Sequence, residues 1–516
     1  MAWRSGVCYS SPIMTKPAIL APARLERARR WLWAALAAST LWLSAQAHRQ
    51  AGFTLPSPWN DEPWYLWSAI SVAEHGTLFS ESLNPERVVP MSPAYQVPLG
   101  AFFKLAGFSF ALARWTSWFW MALAYVGVLW LVKSRPFPLV SAAAAALFFL
   151  GATAVVAGNV CRPEAMVLAL ATWSFVCADR DRPWSSLALA GIGALVHQVG
   201  VMYFAGAAFF SVWRVWASRP GWRPARTDWW LLGLALAALA GQAVFWIRNW
   251  TWIWADAAAV AGENMQQDML QRIWSSPKTV WLGVYGVLFL LALWRFRPLR
   301  VPVALGGISL SAMLVRPQMW YEIYNQMGFM WLALVIPWTA CYLAGGAADR
   351  WWPRIGGNAR RVWVGLVFGA ALLPMLRFGQ MQGFITGPRN YPAKLEWGWG
   401  MRMDPQPYIT EADIQAVAGE IEKHVADGRP RRVFFMPEGD ALFFHGRLPT
   451  NAIPYQGVRT TVLGDLAVFR ISRHPPRWWT KQYVMRFLRL YGGEGLAPFR
   501  ERDGTEQWIL VPPRER

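Results

Sequence analysis

The first 380 residues alternate long apolar runs with short, strongly charged segments. About eleven of these runs approach the roughly 20 apolar residues that a helix needs to cross a bilayer. They predict membrane-spanning helices at residues 31–47, 115–132, 138–157, 164–178, 184–197, 199–213, 229–247, 279–294, 301–315, 325–345 and 362–377. The fifth and sixth runs are short, so one bent hairpin around His197 is an alternative to two spans. The pattern predicts an α-helical polytopic membrane protein with a membrane domain at residues 31–377.

The charged segments between the runs differ in sign from one connection to the next. Every second connection is basic, and these connections contain Lys133, Arg135, Arg180, Arg182, Arg214, Arg219, Arg223, Arg226, Arg295, Arg297, Arg300, Arg350, Arg354, Arg360 and Arg361. The others collect acids: Asp61, Glu62, Glu74, Glu81, Glu86, Glu164, Asp256, Glu263, Asp268 and Glu322. Since basic loops stay in the cytoplasm, residues 1–30 are predicted to be cytoplasmic. The Arg-rich start lacks a clear cleavage pattern, which favours a retained first helix over a signal peptide.

Residues 378–516 have a different character. Alternating apolar stretches at 432–436, 461–471 and 508–511 predict strands, and 411–425 and 481–491 predict helices. Asp427-Gly428 and Gly492-Gly493 mark turns between them. This length is sufficient to bury a core. With an odd number of spans before it, the segment is predicted to form a small α/β domain outside the membrane.

Composition narrows the functional classes. The chain has 516 residues, of which 55% are hydrophobic and 16% charged, with 36 tryptophans. In a soluble domain, a net charge of +20 would indicate nucleic-acid binding. In this chain the arginines lie in the loops that set the membrane topology, so no nucleic-acid partner is predicted. The four cysteines show neither metal-ligand nor disulfide spacing. The sequence contains no phosphate-binding Gly-rich loop of the kind found in ATP-driven pumps. It also contains no inverted repeat of the kind found in many secondary transporters.

The candidate chemistry lies in the long first outer loop, residues 48–114, because long loops without obvious disorder are usually functional. Its sequence WNDEPWY, residues 59–65, places Asp61 and Glu62 side by side among tryptophans. Residues 69–80 then predict a short amphipathic helix. The stretch after residue 99 predicts an interfacial helix, with Lys104 and Arg114 as polar anchors.

These features resemble the GT-C class of membrane glycosyltransferases, in particular the protein O-mannosyltransferase and lipid A aminoarabinose transferase branch. The residues that carry the resemblance are Asp61, Glu62 and Tyr65, the stretch Val97-Pro98-Leu99-Gly100, residues 111–114, and Arg162 with Glu164. One position departs from the pattern: Gln96 stands where a lysine often precedes the apolar stretch. In this chain, another residue would therefore have to make the contact with lipid phosphate that the lysine could make.

The resemblance implies an inverting transfer of a sugar from a polyprenyl-phosphate donor to a lipid, glycan or protein acceptor. It also implies the outer face of a bacterial inner membrane, with the C-terminal domain periplasmic. The leaving phosphate is already a good anion, so the reaction needs one base for the acceptor hydroxyl and cations for the phosphate. Asp61 is the predicted base, with Glu62 as the second catalytic carboxylate.

Arginine suits the phosphate because its guanidinium donates two parallel hydrogen bonds. The predicted substrate-binding residues are Tyr65, Arg162, Glu164, Arg248, Arg316, Tyr321 and Tyr324. A simpler interpretation stays open, in which Asp61 and Glu62 form a solvated turn, Glu164 pairs with Arg162, and Arg316 only anchors a span. The six histidines do not cluster, and His197 is predicted to be a polar turn residue. No metal or other cofactor is predicted, although related enzymes differ in their use of a divalent metal.

Two other functional classes remain open. A lipid-linked-sugar flippase or other transporter would need polar groups inside the spans, whereas the polar residues of this chain gather at the outer rim. A non-catalytic assembly protein would use the C-terminal domain to recruit partners, but it leaves the acidic pair unexplained. The sequence therefore favours chemistry at a membrane surface.

Overall fold

The protein is mostly helical, with one small sheet in its C-terminal part. The computed structural model describes residues 22–50, 62–80, 82, 92–151, 154, 158–197, 199–218, 224–251, 253–254, 287, 299–301, 304, 322–352, 356–386, 409–455, 466–472, 481–502 and 506–512. The helices before the sheet are α1 Pro22–Gln50, α2 Glu62–His75, α3 Pro93–Ala106, α4 Phe110–Val132, α5 Pro138–Phe149, α6 Pro163–Asp179, α7 Pro183–Val196, α8 Gly200–Ser218, α9 Arg226–Arg248, α10 Glu322–Trp351 and α11 Gly357–Thr386.

Nine of the eleven predicted apolar runs coincide with helices, namely α1 and α4 to α11. The runs at 279–294 and 301–315 lie almost wholly outside the described residues. In the described part, α4 and α9 are long and apolar enough to cross a membrane by length and composition. Helices α5 and α7, and the part Gly200–Val212 of α8, are apolar but shorter. The helices are therefore confirmed, and the number of membrane crossings remains a prediction.

Local sequence signals explain where several helices begin. Proline occupies the first turn of α3, α5, α6 and α7, where its missing N–H has no partner in any helix. Ser109 precedes α4, and its hydroxyl accepts a hydrogen bond from the Leu112 amide at 3.1 Å. Between α7 and α8, a Cβ on Gly200 would lie 2.0 Å from the Gly193 carbonyl oxygen. The two helices form a tight hairpin at this point, and only glycine fits at position 200.

The helices of the bundle run in defined relative directions. Helix α1 is antiparallel to α4, because Trp118 near the start of α4 donates to Ser44 near the end of α1 at 3.1 Å. Helices α4 and α6 are parallel, since Arg180 after α6 lies 4.4 Å from the ring of Trp130 near the end of α4. The starts of α4 and α6 and the end of α1 therefore lie at one end of the bundle.

The segment predicted to be the first outer loop, residues 48–114, contains two packed helices, α2 and α3. The predicted helix at 69–80 is wrong in its bounds, because α2 begins at Glu62 and ends at His75. Ten of the fourteen residues of α2 are buried, so this segment is core rather than an amphipathic surface helix. Helix α3 packs closely against it, and a Cβ on Gly100 would lie 2.6 Å from the Ala69 carbonyl oxygen.

The C-terminal part forms a five-stranded sheet of order β2-β1-β3-β5-β4. The strands are β1 Arg431–Met436, β2 Ala452–Tyr455, β3 Leu466–Ser472, β4 Arg500–Arg502 and β5 Glu506–Val511. β1, β2 and β3 are parallel, and β4 and β5 continue the sheet antiparallel. Helix α12 (Glu411–His424), a 3-10 helix (Glu438–Phe444) and helix α13 (Lys481–Leu490) complete this domain. The predicted small domain with both helices and strands is thus confirmed, with β2 and β4 as additions.

The two faces of the sheet are covered separately. Phe434 and Met436 of β1 share a cluster with Val484 and Leu488 of α13. Their neighbours in β1 alternate to the opposite face, where the core of α12 lies. Gly428 and Gly492 have positive φ angles of 74° and 73°, which agrees with the predicted turns at both positions.

The sheet domain packs on the helical part through its 3-10 helix and the following His445. The Phe443 ring lies 5.0 Å from that of Phe110 at the start of α4. The His445 ring contacts the rings of Trp67 and Phe108 at 5.4 and 5.3 Å, and its Nε2 lies 2.9 Å from a carboxylate oxygen of Glu74. The core of the sheet domain therefore continues into the core of the bundle.

Candidate active site

Glu62, the first residue of α2, forms a buried ion pair with Arg114 of α4. Its Oε1 accepts a hydrogen bond from Arg114 Nε at 3.0 Å, and its Oε2 accepts one from Nη2 at 2.8 Å. Oε1 also accepts from the Cys161 backbone amide at 2.7 Å. Both side chains are fully buried, at 0% exposure. One carboxylate thus joins α2, α4 and the segment that leads into α6.

The position of Arg114 corrects the prediction that it anchors an interfacial helix. Its guanidinium is buried, is held on one side by Glu62 and lies 4.4 Å from the centre of the Phe110 ring. A buried carboxylate needs a cation that can satisfy both oxygens, and the planar guanidinium does so in one geometry. Arg114 is therefore part of the frame that fixes the start of α2.

A second pair lies at the start of α6. Arg162 Nε donates to Glu164 Oε2 at 3.1 Å, and its Nη2 donates to Oε1. The two side chains are only 9% and 2% exposed. Glu164 occupies the first turn of α6, where the helix dipole favours an acid. The arrangement is the Arg162–Glu164 pairing that the simpler interpretation of the sequence proposed.

His197, at the end of α7, extends this second pair. Its Nε2 lies 4.0 Å from Glu164 Oε1, and the Val199 amide donates to its Nδ1 at 3.4 Å. The side chain is buried, with 8% exposure. It is a turn residue, as predicted, but the sequence did not reveal that it faces Glu164. The two residues are 33 positions apart in sequence and lie at the ends of different helices, so no helix or strand pattern indicates their contact.

Tyr65 of α2 lies against Tyr95 of α3, with their rings perpendicular and 5.8 Å apart. The Tyr95 hydroxyl and the Cys161 thiol are hydrogen bonded at 3.4 Å. Both tyrosines are buried, at 4% and 3% exposure. Tyr95 and Cys161 were not predicted as site residues, since neither stands in a motif. Together these contacts connect α3 to the Glu62 pair.

Gln96, the position that departs from the sequence pattern described above, is also buried, at 1% exposure. Within the described part of the chain, its Oε1 has no hydrogen-bond partner. The polar end of this side chain lies inside the protein, so it does not replace the lysine as a surface contact.

Arg248 differs from Arg162 because it is exposed, at the end of α9. Ser185 near the start of α7 donates to Asp228 near the start of α9, so these two helices run in parallel and end on the same side. Arg248 therefore lies at the same end of the bundle as His197. It is accessible to a ligand that approaches this end.

Several predicted site residues cannot be placed. Asp61, Arg316 and Tyr321 lie outside the described residues, and Tyr324 belongs to α10 with its side chain outside the described part. Asp61 immediately precedes Glu62, the first residue of α2. The ion pair thus fixes the residue next to the predicted base.

The surroundings of Glu62 differ from those expected for the catalytic carboxylate that the sequence predicted at this position. A general base needs a lone pair that faces the acceptor hydroxyl. Glu62 uses its oxygens to accept three hydrogen bonds within the protein, and water does not reach it. This geometry suits a residue that positions the start of α2, rather than one that takes a proton.

Among the described residues, no group of three or more His, Cys, Asp or Glu side chains is placed to hold a metal ion. Comparisons with known proteins add no assignment. No protein-family model matches the chain, and no curated protein matches it significantly.

Proposed function

We propose that the protein is an inverting membrane glycosyltransferase of the GT-C kind, which moves a sugar from a polyprenyl-phosphate donor to an acceptor. The observation that supports this most is the pair of buried carboxylate–guanidinium contacts, Glu62–Arg114 and Arg162–Glu164, at one end of the bundle. Burying such pairs is costly, and it fixes geometry rather than adding stability. The fixed end is next to Asp61 in sequence and beneath the sheet domain.

The exposure of α9 supports a membrane setting. Its large apolar side chains are turned out of the protein, with Trp230 72%, Leu236 65% and Ile247 77% exposed. An apolar surface of this extent marks contact with lipid or another protein. A lipid-facing α9 is consistent with a multi-pass protein of the bacterial inner membrane, with the sheet domain on the periplasmic side.

In the proposed reaction, the Asp61 carboxylate removes the proton of the acceptor hydroxyl. The hydroxyl oxygen attacks the anomeric carbon, and the new C–O bond forms on the face opposite the phosphate. The bond between that carbon and the phosphate oxygen breaks, and polyprenyl phosphate leaves with the electron pair. Configuration is therefore inverted.

The other residues of the site have supporting roles in this proposal. Arg248 is the accessible cation for the departing phosphate, whereas Arg162 shares its charge with Glu164. Glu62 is a positioning residue, and Tyr65 and Tyr95 pack behind it. Arg316, Tyr321 and Tyr324 remain proposed donors to the same phosphate.

The test compares Asp61→Asn with wild type in membranes supplied with radiolabelled polyprenyl-phosphate sugars. We expect label to reach an acceptor with wild type and at least about a hundredfold slower transfer with Asp61→Asn, which is the usual contribution of a general base. The matched control is Asp349→Asn, which neutralises an exposed carboxylate paired with Arg360 outside the site. It should retain wild-type transfer.

Three results would contradict the proposal. Equal transfer by wild type and a correctly folded Asp61→Asn would remove Asp61 as the base. Retained product configuration would exclude direct displacement. Translocation of the lipid-linked sugar across vesicles, with no transfer to any acceptor, would favour a flippase instead.

A further inference from the structure

A cleft of about 850 Å³ lies between α1 and α4, far from the candidate active site. Arg29, Arg30 and Trp33 line it from α1, and Trp130 and Lys133 line it from the end of α4. Its volume is within the usual range for small-molecule sites. None of these residues contributes to the contacts around Glu62 or Glu164.

The cleft opens at the opposite end of the bundle from that site. Arg114 and Lys133 are 19 positions apart on and just after α4, which corresponds to about 28 Å along a helix. This is close to the thickness of the hydrocarbon core of a bilayer. Since α1 is antiparallel to α4, the first turns of α1 lie beside the last turns of α4. With the active-site end at the outer surface, the cleft lies at the cytoplasmic surface.

Among the described residues that line the cleft, the cations outnumber the acids. Arg29, Arg30 and Lys133 face one carboxylate, that of Glu26, which lies 2.8 Å from Arg30. Arg180 adds a further cation at the rim, where its guanidinium lies 4.4 Å from the centre of the Trp130 ring. The rim therefore attracts an anion.

Beneath the cations the lining is apolar and aromatic. Trp33, Val126, Leu129 and Trp130 cover the wall between the two helices. Tryptophan is enriched where lipid headgroups meet acyl chains, because its ring is amphipathic. A soluble phosphate would satisfy the cations and leave this wall exposed, whereas a phospholipid satisfies both.

We propose that this cleft binds an anionic phospholipid, with its phosphate at Arg29 and Lys133 and its upper acyl chains against the two tryptophans. The assignment rests on the membrane setting of the proposed function and is independent of glycosyl transfer. It predicts a lipid site on the leaflet opposite the one where the donor is used.

Native mass spectrometry of the detergent-purified full chain tests the proposal, with phosphatidylglycerol and phosphatidylcholine added in competition. Wild type should retain phosphatidylglycerol in preference. Arg29→Ala/Lys133→Ala should weaken that binding by at least about fivefold, since each basic residue near an anionic lipid contributes about that factor. The control is Arg226→Ala/Arg361→Ala, which removes two exposed arginines outside the cleft. It should bind phosphatidylglycerol as wild type does.

Three outcomes would overturn the assignment. Wild type without any preference for phosphatidylglycerol would exclude the site. An equal loss in the control would show general surface attraction. Displacement of the lipid by inorganic phosphate at similar concentration would identify a soluble anion as the ligand.

The swap Arg29→Lys/Lys133→Arg preserves both charges and should retain binding even if the alanine pair fails to fold. Because no step measures transfer, an inactive Asp61→Asn variant should still bind the lipid.

Discussion

Glu62 and Arg114 are 52 residues apart in sequence, and neither alone reveals the partner. The sequence identified Glu62 by its acidic neighbour and aromatic surroundings, and it predicted Arg114 to be a polar anchor of an interfacial helix. Their contact depends on the way α2 folds back against α4, which no local pattern encodes. For the same reason, Tyr95, Cys161 and the approach of His197 to Glu164 were not predicted.

Glu62→Gln should destabilise the protein strongly. The substitution leaves the Arg114 guanidinium buried without a counter-charge, and breaking a buried pair costs about 3–5 kcal/mol. Thermal unfolding in detergent, followed by circular dichroism, measures the effect.

The comparison variant for Glu62→Gln is Glu26→Gln. It breaks an exposed pair with Arg30, and exposed pairs of this kind contribute little to stability. If both variants unfold at the same temperature, the buried Arg114 guanidinium does not depend on Glu62 as its counter-charge.

Asp413 predicts a pH dependence in the sheet domain. Burial alone would raise its pKa, but hydrogen bonds from Thr410 and the guanidinium groups of Arg500 and Arg502 hold the pKa of this carboxyl below its ordinary value. The stabilisation is therefore complete above the ordinary value of about 3.9 and is lost as pH falls through the lower pKa of the folded state. The protection of the α12 amides, taken relative to the intrinsic exchange rate at each pH, should fall only below about pH 4.

The variant Asp413→Asn should remove this acid transition and exchange faster already at neutral pH. Glu494→Gln breaks an exposed pair with Arg489 in the same domain, so its exchange should follow wild type. An acid transition that persists in Asp413→Asn would assign it to other carboxyl groups.

At the scale of elements, apolar runs predicted the helices well because a buried or lipid-facing helix needs many consecutive apolar residues. The predicted strands at β1, β3 and β5 had enough length to alternate visibly. β2 and β4 are only four and three residues long, too short for a period of two to be recognised. The ends of α1 were misjudged because charged residues continue this helix on both sides. Helix α2 begins before the predicted bounds, at Glu62, and it ends at His75, just before Gly76 with its positive φ angle of 70°.

Gly100 lies where α3 packs closely against α2, so a substitution there tests how tightly the two helices must pack. A Cβ at this position would meet the Ala69 carbonyl oxygen and the Val72 side chain at 2.6 Å, and backbone atoms cannot move aside cheaply. Gly100→Ala should cost about 1–3 kcal/mol by forcing α3 away from α2. Thermal unfolding and faster hydrogen exchange in α2 would report it.

Gly233→Ala is the matched substitution for Gly100→Ala. Its Cβ in α9 meets no atom within 4 Å, so helix propensity alone applies and stability should stay equal or rise slightly. A loss of stability as large as that of Gly100→Ala would show that the effect is general to glycine in these helices.

At the scale of the whole molecule, the sheet domain and the bundle share one hydrophobic core. The sequence predicted both parts, but not the surface by which they meet. The contact depends on a 3-10 helix of seven residues, Glu438–Phe444, whose irregular sequence has no distinctive period. Arg470 fixes this short helix to the sheet through a buried pair with Asp440, at 2.6 and 3.0 Å.

Removing the aromatic contacts should separate the two parts without unfolding either. Phe443→Ala/His445→Ala deletes ring pairs worth about 0.5–1.5 kcal/mol each. We expect faster hydrogen exchange in α2, with β1, β3 and β5 as protected as in wild type.

Leu490→Ala/Leu496→Ala provides the control for domain packing, because both side chains are exposed, at 58% and 41%. It should leave exchange in α2 unchanged. Loss of protection across the sheet in Phe443→Ala/His445→Ala would instead place these residues in the fold of the sheet domain itself.

The contact between Glu74 and His445 also orders events during synthesis. The two residues are 371 positions apart in sequence, and a ribosome adds about 5–20 residues per second. Roughly 20–75 seconds therefore pass between the synthesis of α2 and that of His445, which packs on it. During that interval the aromatic surface around Trp67 and Phe108 is accessible to chaperones, and a chain truncated before residue 438 would keep it exposed.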